Sequence, residues 1–257
     1  MLVDPPAGLA IEIAPPPIHS MNRFHPAHLL ALGSLLLLTA ATAAPNQLSE
    51  TETRDGWRLL FDGQSLQGWR SFKKSGPPDR GWVVADGCLE HVAKGGGGDI
   101  LSADEFTEFD LRFSWKLAPE ANSGVKYFVT EERATALGHE YQLLDDALNE
   151  DARNGRHHQT ASFYDVLPPA EDAKAAPVGE WNHSRIVVRG QHVEHWLNNK
   201  LALAYDLGSE PVLAAVAKSK FKTVPGFGTR VRGHILLQDH GGQIWFRDLK
   251  IRDLAAR

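Results

Sequence analysis

The residues best suited to chemistry fall at alternating positions of short segments. In His139-Glu140-Tyr141-Gln142-Leu143 an extended backbone sends Glu140 and Gln142 to one face and Tyr141 and Leu143 to the other. The same alternation over Gly233 to His240 groups His234, Gln238 and His240 opposite Ile235 and Leu237. In Asn122-Ser123-Gly124-Val125-Lys126-Tyr127 it sets Lys126 against Val125 and Tyr127. A carboxylate, carboxamides, an amine and imidazoles sharing one sheet face exceed what solvation of that face requires. Such groups move protons and recognise hydroxyls. Each also has an ordinary use, Lys126 as an exposed strand lysine and His240 as a turn residue beside Gly241-Gly242.

Metal chemistry is a second reading of the same residues. No compact His/Cys spacing of the zinc type occurs, and His157-His158 fall in a polar loop. Glu140, Asp145, Asp146 and His240 could hold a divalent cation if the fold brings them together, with Glu140, Asp145 and His240 the expected ligands. Trp69, Trp181 and Trp196 are read as core residues ahead of sugar platforms. The single cysteine, Cys88, excludes an intramolecular disulfide and is read as a small buried strand residue.

The elements that must position these groups are strands. Trp57–Phe61 ends at the turn dipeptide Asp62-Gly63, and Gly81–Ala85 and Cys88–Val92 flank Asp86-Gly87 as a hairpin. Phe109–Leu117 alternates apolar and polar residues throughout, the signature of a half-buried strand. Further strands are expected over 124–129, 140–144, 162–166, 182–189, 193–197, 233–240 and 244–251, with one short helix over Val212–Lys222. Two long loops, Asp145–Gln159 and Pro168–Gly179, read equally as binding rims or as plain connectors. Many strands with one helix predict an all-β sandwich.

Ahead of the domain, Met21–His28 and the apolar run Leu29–Ala41 have the order of a secretory signal peptide, with Ala41-Thr42-Ala43 in the cleavage pattern. The expected organisation is an upstream extension over 1–20, a signal peptide over 21–44, a polar linker over 45–55 and the sandwich domain over 56–254. That predicts a periplasmic or secreted protein with no stable membrane insertion once the signal is removed. A net charge of −5 without a long Lys/Arg run excludes nucleic acid as an expected partner.

Several stretches, modest singly, occur in a specific order: Gly56-Trp57-Arg58-Leu59-Leu60-Phe61-Asp62-Gly63 with Leu66 and Gly68-Trp69, Asn122-Ser123-Gly124-Val125, Glu140–Asp146, Gly179-Glu180-Trp181-Asn182, His195-Trp196-Leu197-Asn198, Gly233–Gly241 and Phe246–Ile251. Through them the chain resembles the 3-keto-disaccharide hydrolase family over roughly 55–254. The resemblance implies a concanavalin A-like jelly-roll sandwich and cleavage of glycosidic bonds in 3-keto-disaccharides or 3-keto-glucosides. Two departures are Asn198-Asn199, where many relatives carry Asn-Gly, and Phe128, where many carry Arg; either Lys126 supplies the positive charge or the pocket differs.

The chemistry so implied begins at C2, where the adjacent ketone acidifies the hydrogen. Its removal gives an enediolate that expels the C1 aglycone, and water then adds across the double bond. Under this implication His240 or His195 is the base, Glu140 a proton shuttle or metal ligand, and Lys126 or a bound cation the enolate stabiliser. Asn122, Gln142, Asp146, Tyr164 and Gln238 would contact the sugar, and no organic cofactor is expected. The competing readings are a carbohydrate-binding module without catalysis, a conventional glycoside hydrolase and an interaction domain. The conventional one is disfavoured because Glu140-Tyr141-Gln142 stands where sandwich-fold endoglucanases carry Glu-x-Asp-x-Glu.

Overall fold

In a computed structural model, which describes residues 44–255 without interruption, the period-2 segments pair into two antiparallel sheets. In chain order the strands are β1 (Trp57–Leu59), β2 (Trp69–Ser71), β3 (Trp82–Ala85), β4 (Cys88–His91), β5 (Ile100–Phe106), β6 (Phe109–Leu117), β7 (Asn122–Val129), β8 (His139–Leu144), β9 (Asn182–Arg189), β10 (His192–Leu197), β11 (Lys200–Asp206), β12 (Gly233–Leu237) and β13 (Ile244–Asp253). The eight-stranded sheet runs β11-β10-β9-β6-β13-β4-β3 with β1 also on β13, and the five-stranded sheet runs β2-β5-β12-β7-β8. This is the all-β sandwich expected. The stretches expected to form an upstream extension and a signal peptide lie essentially outside the described residues, and among the described residues no helix is long and apolar enough to cross a membrane.

The core sits between the sheets and is aromatic. Phe109, Phe113 and Trp115 of β6 and Phe246 of β13 meet Tyr127 of β7 and Tyr141 of β8, all essentially inaccessible to water. Each such side chain contributes about 1.5–3 kcal/mol on burial, so these rings fix the register of the strands that carry them. Alternation therefore forces their sequence neighbours outward. Glu140 and Gln142 leave the core beside Tyr141 and Leu143, and Lys126 leaves it between Val125 and Tyr127.

Strands β2, β5 and β11 go beyond those expected, and three expected segments take a different form. The 45–55 segment is docked, not a free linker: Asn46 and Asp248 exchange backbone-to-side-chain hydrogen bonds of 2.8 Å, and Ser49 caps a short helix α1 (Glu50–Arg54) whose Glu52 reaches Lys250. The second helix, α2 (Glu210–Val216), stops after two turns, with Val212 and Val216 inward, and turns follow it. Residues 162–166 make only isolated bridges, Phe163 to Tyr141 and to Leu167. The expected hairpin at Asp86-Gly87 forms, and Asn198 and Asn199 both take positive φ in the β10–β11 turn, the geometry that Asn-Gly supplies elsewhere.

Candidate active site

On the outward face of the five-stranded sheet, Lys126 of β7 lies directly opposite Glu140 of β8, and Gly124 opposite Gln142. The chain leaving β12 continues this surface, because Gln238 donates its backbone N–H to Gly124 at 3.0 Å. Lys126, Glu140, Gln142 and Gln238, with Asn122, His240 and Tyr164, line one pocket together with Leu137, Gly138, Lys220 and Phe221. Of the nine expected catalytic and sugar-contacting residues, Glu140, Lys126, His240, Asn122, Gln142, Tyr164 and Gln238 thus come together.

Glu140 is the floor of that pocket. Its Oε1 accepts from Gln142 Nε2 at 3.3 Å and from Gln238 Nε2 at 3.2 Å, in the amide orientations that satisfy both ends of each carboxamide. The Gln238 oxygen then accepts from Lys126 Nζ at 3.1 Å. With Oε1 held by two amides, Oε2 is the oxygen free to react. Burial pushes the Glu140 carboxyl above the usual carboxylate range, Asp99 adds to the rise, and Lys126, Lys220 and His240 oppose it. Asp99, just ahead of β5, is likewise raised by burial and sits 3.7 Å from Lys126 Nζ. Its other oxygen accepts from the Asp239 N–H at 2.9 Å, so it ties the lysine to the loop carrying His240.

The carboxylate can lie flat only because residue 124 is glycine. A Cβ on Gly124 would stand 2.2 Å from Glu140 Oε1 and 2.9 Å from Cδ. Gly124→Ala is therefore expected to leave the sandwich folded but displace the carboxylate, with a loss in turnover on the order of 10²-fold. Unchanged turnover together with an unmoved melting temperature would show that Glu140 does not need this cradle.

Three expected residues lie elsewhere. His195 is sealed between the sheets, where Nδ1–H donates to the Ala161 carbonyl at 3.0 Å and Nε2 accepts from the Tyr127 hydroxyl at 3.0 Å. Burial depresses it to about 4, and no substrate reaches it. Asp145 and Asp146 line a separate cleft with Lys174 and Asn182. The Asp145 oxygens accept from the N–H groups of Glu120, Ala147 and Leu148, and Asp146 accepts from Thr160 N–H, so both organise the loop after β8. The Glu140, Asp145, His240 ligand set is accordingly not assembled. Phe128, with φ of +61°, is buried in the core, and the ammonium groups that line the pocket are those of Lys126 and Lys220.

Sequence reasoning missed Asp99 and Lys220. Asp99 follows the run Gly95-Gly96-Gly97-Gly98, a signal of unusual backbone that could have drawn attention to it. Lys220 carries no such signal; it lies 4.1 Å over the Tyr164 ring, in the segment expected to be helical. The tryptophans divide. Trp69 is core and donates to Leu60 O, whereas Trp181 is covered by Lys116 and Arg247, and Trp196 lies near Arg185, on the other sheet.

A larger groove crosses the outer face of the eight-stranded sheet, but its polar groups answer one another. Ser114 bridges His183 and Asp248, Arg185 forks onto Asp110, and Lys250 holds Glu52. The unbalanced, convergent set is the one around Glu140.

Residues 56–252 match the 3-keto-alpha-glucoside-1,2-lyase-like domain family. The chain is 33% identical over 231 residues to a protein of Bacteroides thetaiotaomicron named 3-keto-disaccharide hydrolase, spanning 78% of this chain and 79% of that one. A crystal structure from Parabacteroides distasonis described as a candidate glycosyl hydrolase superposes with a TM-score of 0.75 at 31% identity, covering 82% of this chain and all of that one. A second from the same organism, with the same description, gives 0.61 at 27% identity over 77% and 99%. With the family match covering the whole sandwich and every pocket residue, the chain belongs to the 3-keto-alpha-glucoside-1,2-lyase-like family.

Proposed function

We propose that the chain cleaves the glycosidic bond of a 3-keto-disaccharide or 3-keto-glucoside by elimination and rehydration. The observation that carries this reading is the buried Glu140 facing Lys126 on adjacent strands, with His240 exposed at the pocket mouth. Elimination needs a base at C2, a cation at the C3 oxygen and an acid at the C1 leaving oxygen, atoms that follow one another along the sugar ring. With the ketone edge inward, Lys126 meets O3, Glu140 Oε2 meets the C2 hydrogen, and the aglycone projects toward His240. The proton roles thus shift from the residues first expected: Glu140 is the base, and His240 protonates the departing oxygen.

Electron flow closes in this arrangement. Glu140 takes the C2 proton, the C–H pair forms the enediolate, and Lys126 stabilises its oxygen. The enediolate then re-forms the ketone while the C1–O bond breaks, and the aglycone leaves as an alcohol carrying the proton from His240. Water adds to C1 and a proton to C2, so the net reaction is hydrolysis. A carboxylate raised by burial is a stronger base than an exposed one, and the Lys126 and Lys220 ammonium groups favour its ionised form.

A binding module without catalysis would present aromatic platforms, yet only Tyr164 and Phe221 line this pocket. The purified chain should release aglycone from 3-keto-trehalose and leave trehalose intact, with C2–H exchanging into deuterated water. His240→Ala should lower aglycone release by ~10²-fold while C2 exchange persists. Sugar binding without exchange or release would replace the enzyme by a lectin-like module; equal cleavage of trehalose would replace it by a conventional hydrolase.

A further inference from the structure

Packed against Tyr164 but outside the pocket lining, a second polar cluster has no part in the elimination. His157 Nε2 lies 3.7 Å and His158 Nε2 3.1 Å from the same oxygen, Asp165 Oδ1. Among the described residues this is the one group of three such side chains whose ligand atoms all fall within 4.8 Å of one another. Tetrahedral bonds of ~2.0–2.1 Å would separate neighbouring ligand atoms by ~3.3 Å, between the two distances observed.

The surroundings are arranged for a cation. His158 Nδ1 lies 2.8 Å from Asp151 Oδ1, and donating its Nδ1–H there keeps Nε2 as the nitrogen that faces the Asp165 carboxylate and can ligate. With Nε2 unprotonated, it and Asp165 Oδ1 are two acceptors 3.1 Å apart, a gap that either a proton or a metal ion fills. Asp165 Oδ2 is already taken by the Lys220 N–H at 2.7 Å, so Oδ1 is the oxygen left for a ligand bond. The His157 ring rests on Gly155, where a Cβ would stand 2.7 Å from Cε1; this glycine has φ of +124° and leaves that space open. His157 and His158 pack edge to face at 4.6 Å, and His158 packs likewise on Tyr164 at 4.8 Å.

We propose that His157, His158 and Asp165 bind one divalent transition-metal ion of the zinc class, with the fourth position open to solvent. Histidine nitrogen with a single carboxylate oxygen suits zinc or cobalt over calcium or magnesium, which require more oxygen ligands. The ion does not touch the sugar. It clamps the 3-10 turns Glu150–Asn154 and Arg156–His158 to the Tyr164 turn and, through Asp165, to the Lys220 segment. Tyr164 and Lys220 line the pocket, so the ion is a positioning element for them.

Titrating the chelator-stripped chain with Zn²⁺ in a calorimeter should give one site per chain, and Co²⁺ should give a visible absorption band of a four-coordinate centre. His157→Ala, at a half-exposed side chain, should weaken binding by at least ~100-fold, and Asp151→Asn, which keeps all three ligands, by ~10–100-fold. Glu140→Gln should bind the ion as tightly as the parent. Binding also slows amide exchange over 156–166 and 219–221. No heat with either ion overturns the site, as does loss of binding in Glu140→Gln, which would move the ion to the pocket. These readouts contain no sugar, so they stand or fall separately from the keto-sugar reaction.

Discussion

Glu140→Gln lowers turnover on a 3-keto-glucoside by ~10²–10⁴-fold, the range a positioned base contributes, while the folded protein becomes more stable at pH 7 by about 1 kcal/mol. The two effects have one cause. Burial disfavours the ionised carboxyl, so the folded chain holds the Glu140 proton to higher pH than the unfolded chain does. Between the ordinary carboxylate range and the raised value, the folded state binds more protons. Stability from this source falls as pH rises through that window. Glutamine carries no charge and preserves a polar atom for the amides of Gln142 and Gln238, so the penalty disappears with the base. The acid limb of the parent's kcat/KM profile should accordingly lie above pH 4.5 and vanish in the variant. A variant with full turnover, or one less stable than the parent at pH 7, removes Glu140 from the role of buried base.

The second large effect has the opposite sign in pH. His139 and His195 are both fully buried, and burial lowers them to about 3 and about 4. Arg133 and the neighbouring His195 lower His139 further, whereas the Ala161 carbonyl partly supports a proton on His195. The geometry agrees with neutral rings: His139 Nε2 accepts from Gly228 N–H, and His195 Nε2 accepts from Tyr127. Below the ordinary value of 6.5 the unfolded chain takes up protons that the folded chain refuses. Stability present above 6.5 is thus lost as pH falls toward 4, at up to ~1.4 kcal/mol per pH unit for each ring. Against a total of ~5–15 kcal/mol, the pair makes the sandwich acid-labile. Urea midpoints at pH 7 and pH 5 should differ accordingly, and both imidazole Cε1–H resonances should stay fixed between them. Resonances that titrate near 6.5 in the folded protein would show that the interior is wet and cancel the effect.

Strand faces were legible wherever alternation met a core. Tyr141 and Leu143 inward put Glu140 and Gln142 outward from the sequence alone, and Val125 and Tyr127 did the same for Lys126. Strand β6 was legible to its boundaries, because its alternation runs unbroken from Phe109 to Leu117. Short β2 and Ala/Leu-rich β11 gave no such period. Neither did β5, whose middle residues Ala103, Asp104 and Glu105 face water in succession. Face assignment does not reveal depth, and this is why His195 reads as a base until its strand is placed. Its strand neighbours Glu194 and Trp196 are half-exposed, but its own side of β10 is the interior. Asp145 and Asp146 lie just past the end of β8, where alternation ceases to say where a side chain goes. The His157, His158, Asp165 cluster was illegible for a related reason: consecutive histidines converge only because a 3-10 turn, and not a strand, carries them.

The pairing of β1 with β13 bears on when the fold can form. Trp57 lies opposite Arg252, and Asn46 bonds Asp248 across 202 positions of chain. Strand β13 is also the partner of β4 and of β6, so three strands made earlier wait on the last one synthesised. Hydrogen-bonding edges on all three remain open until then, and closing so long a loop comes before its contacts reward it. A ribosome-bound chain ending before residue 244 should consequently remain sensitive to protease, and assembly of the eight-stranded sheet becomes a single event that waits on the emergence of β13.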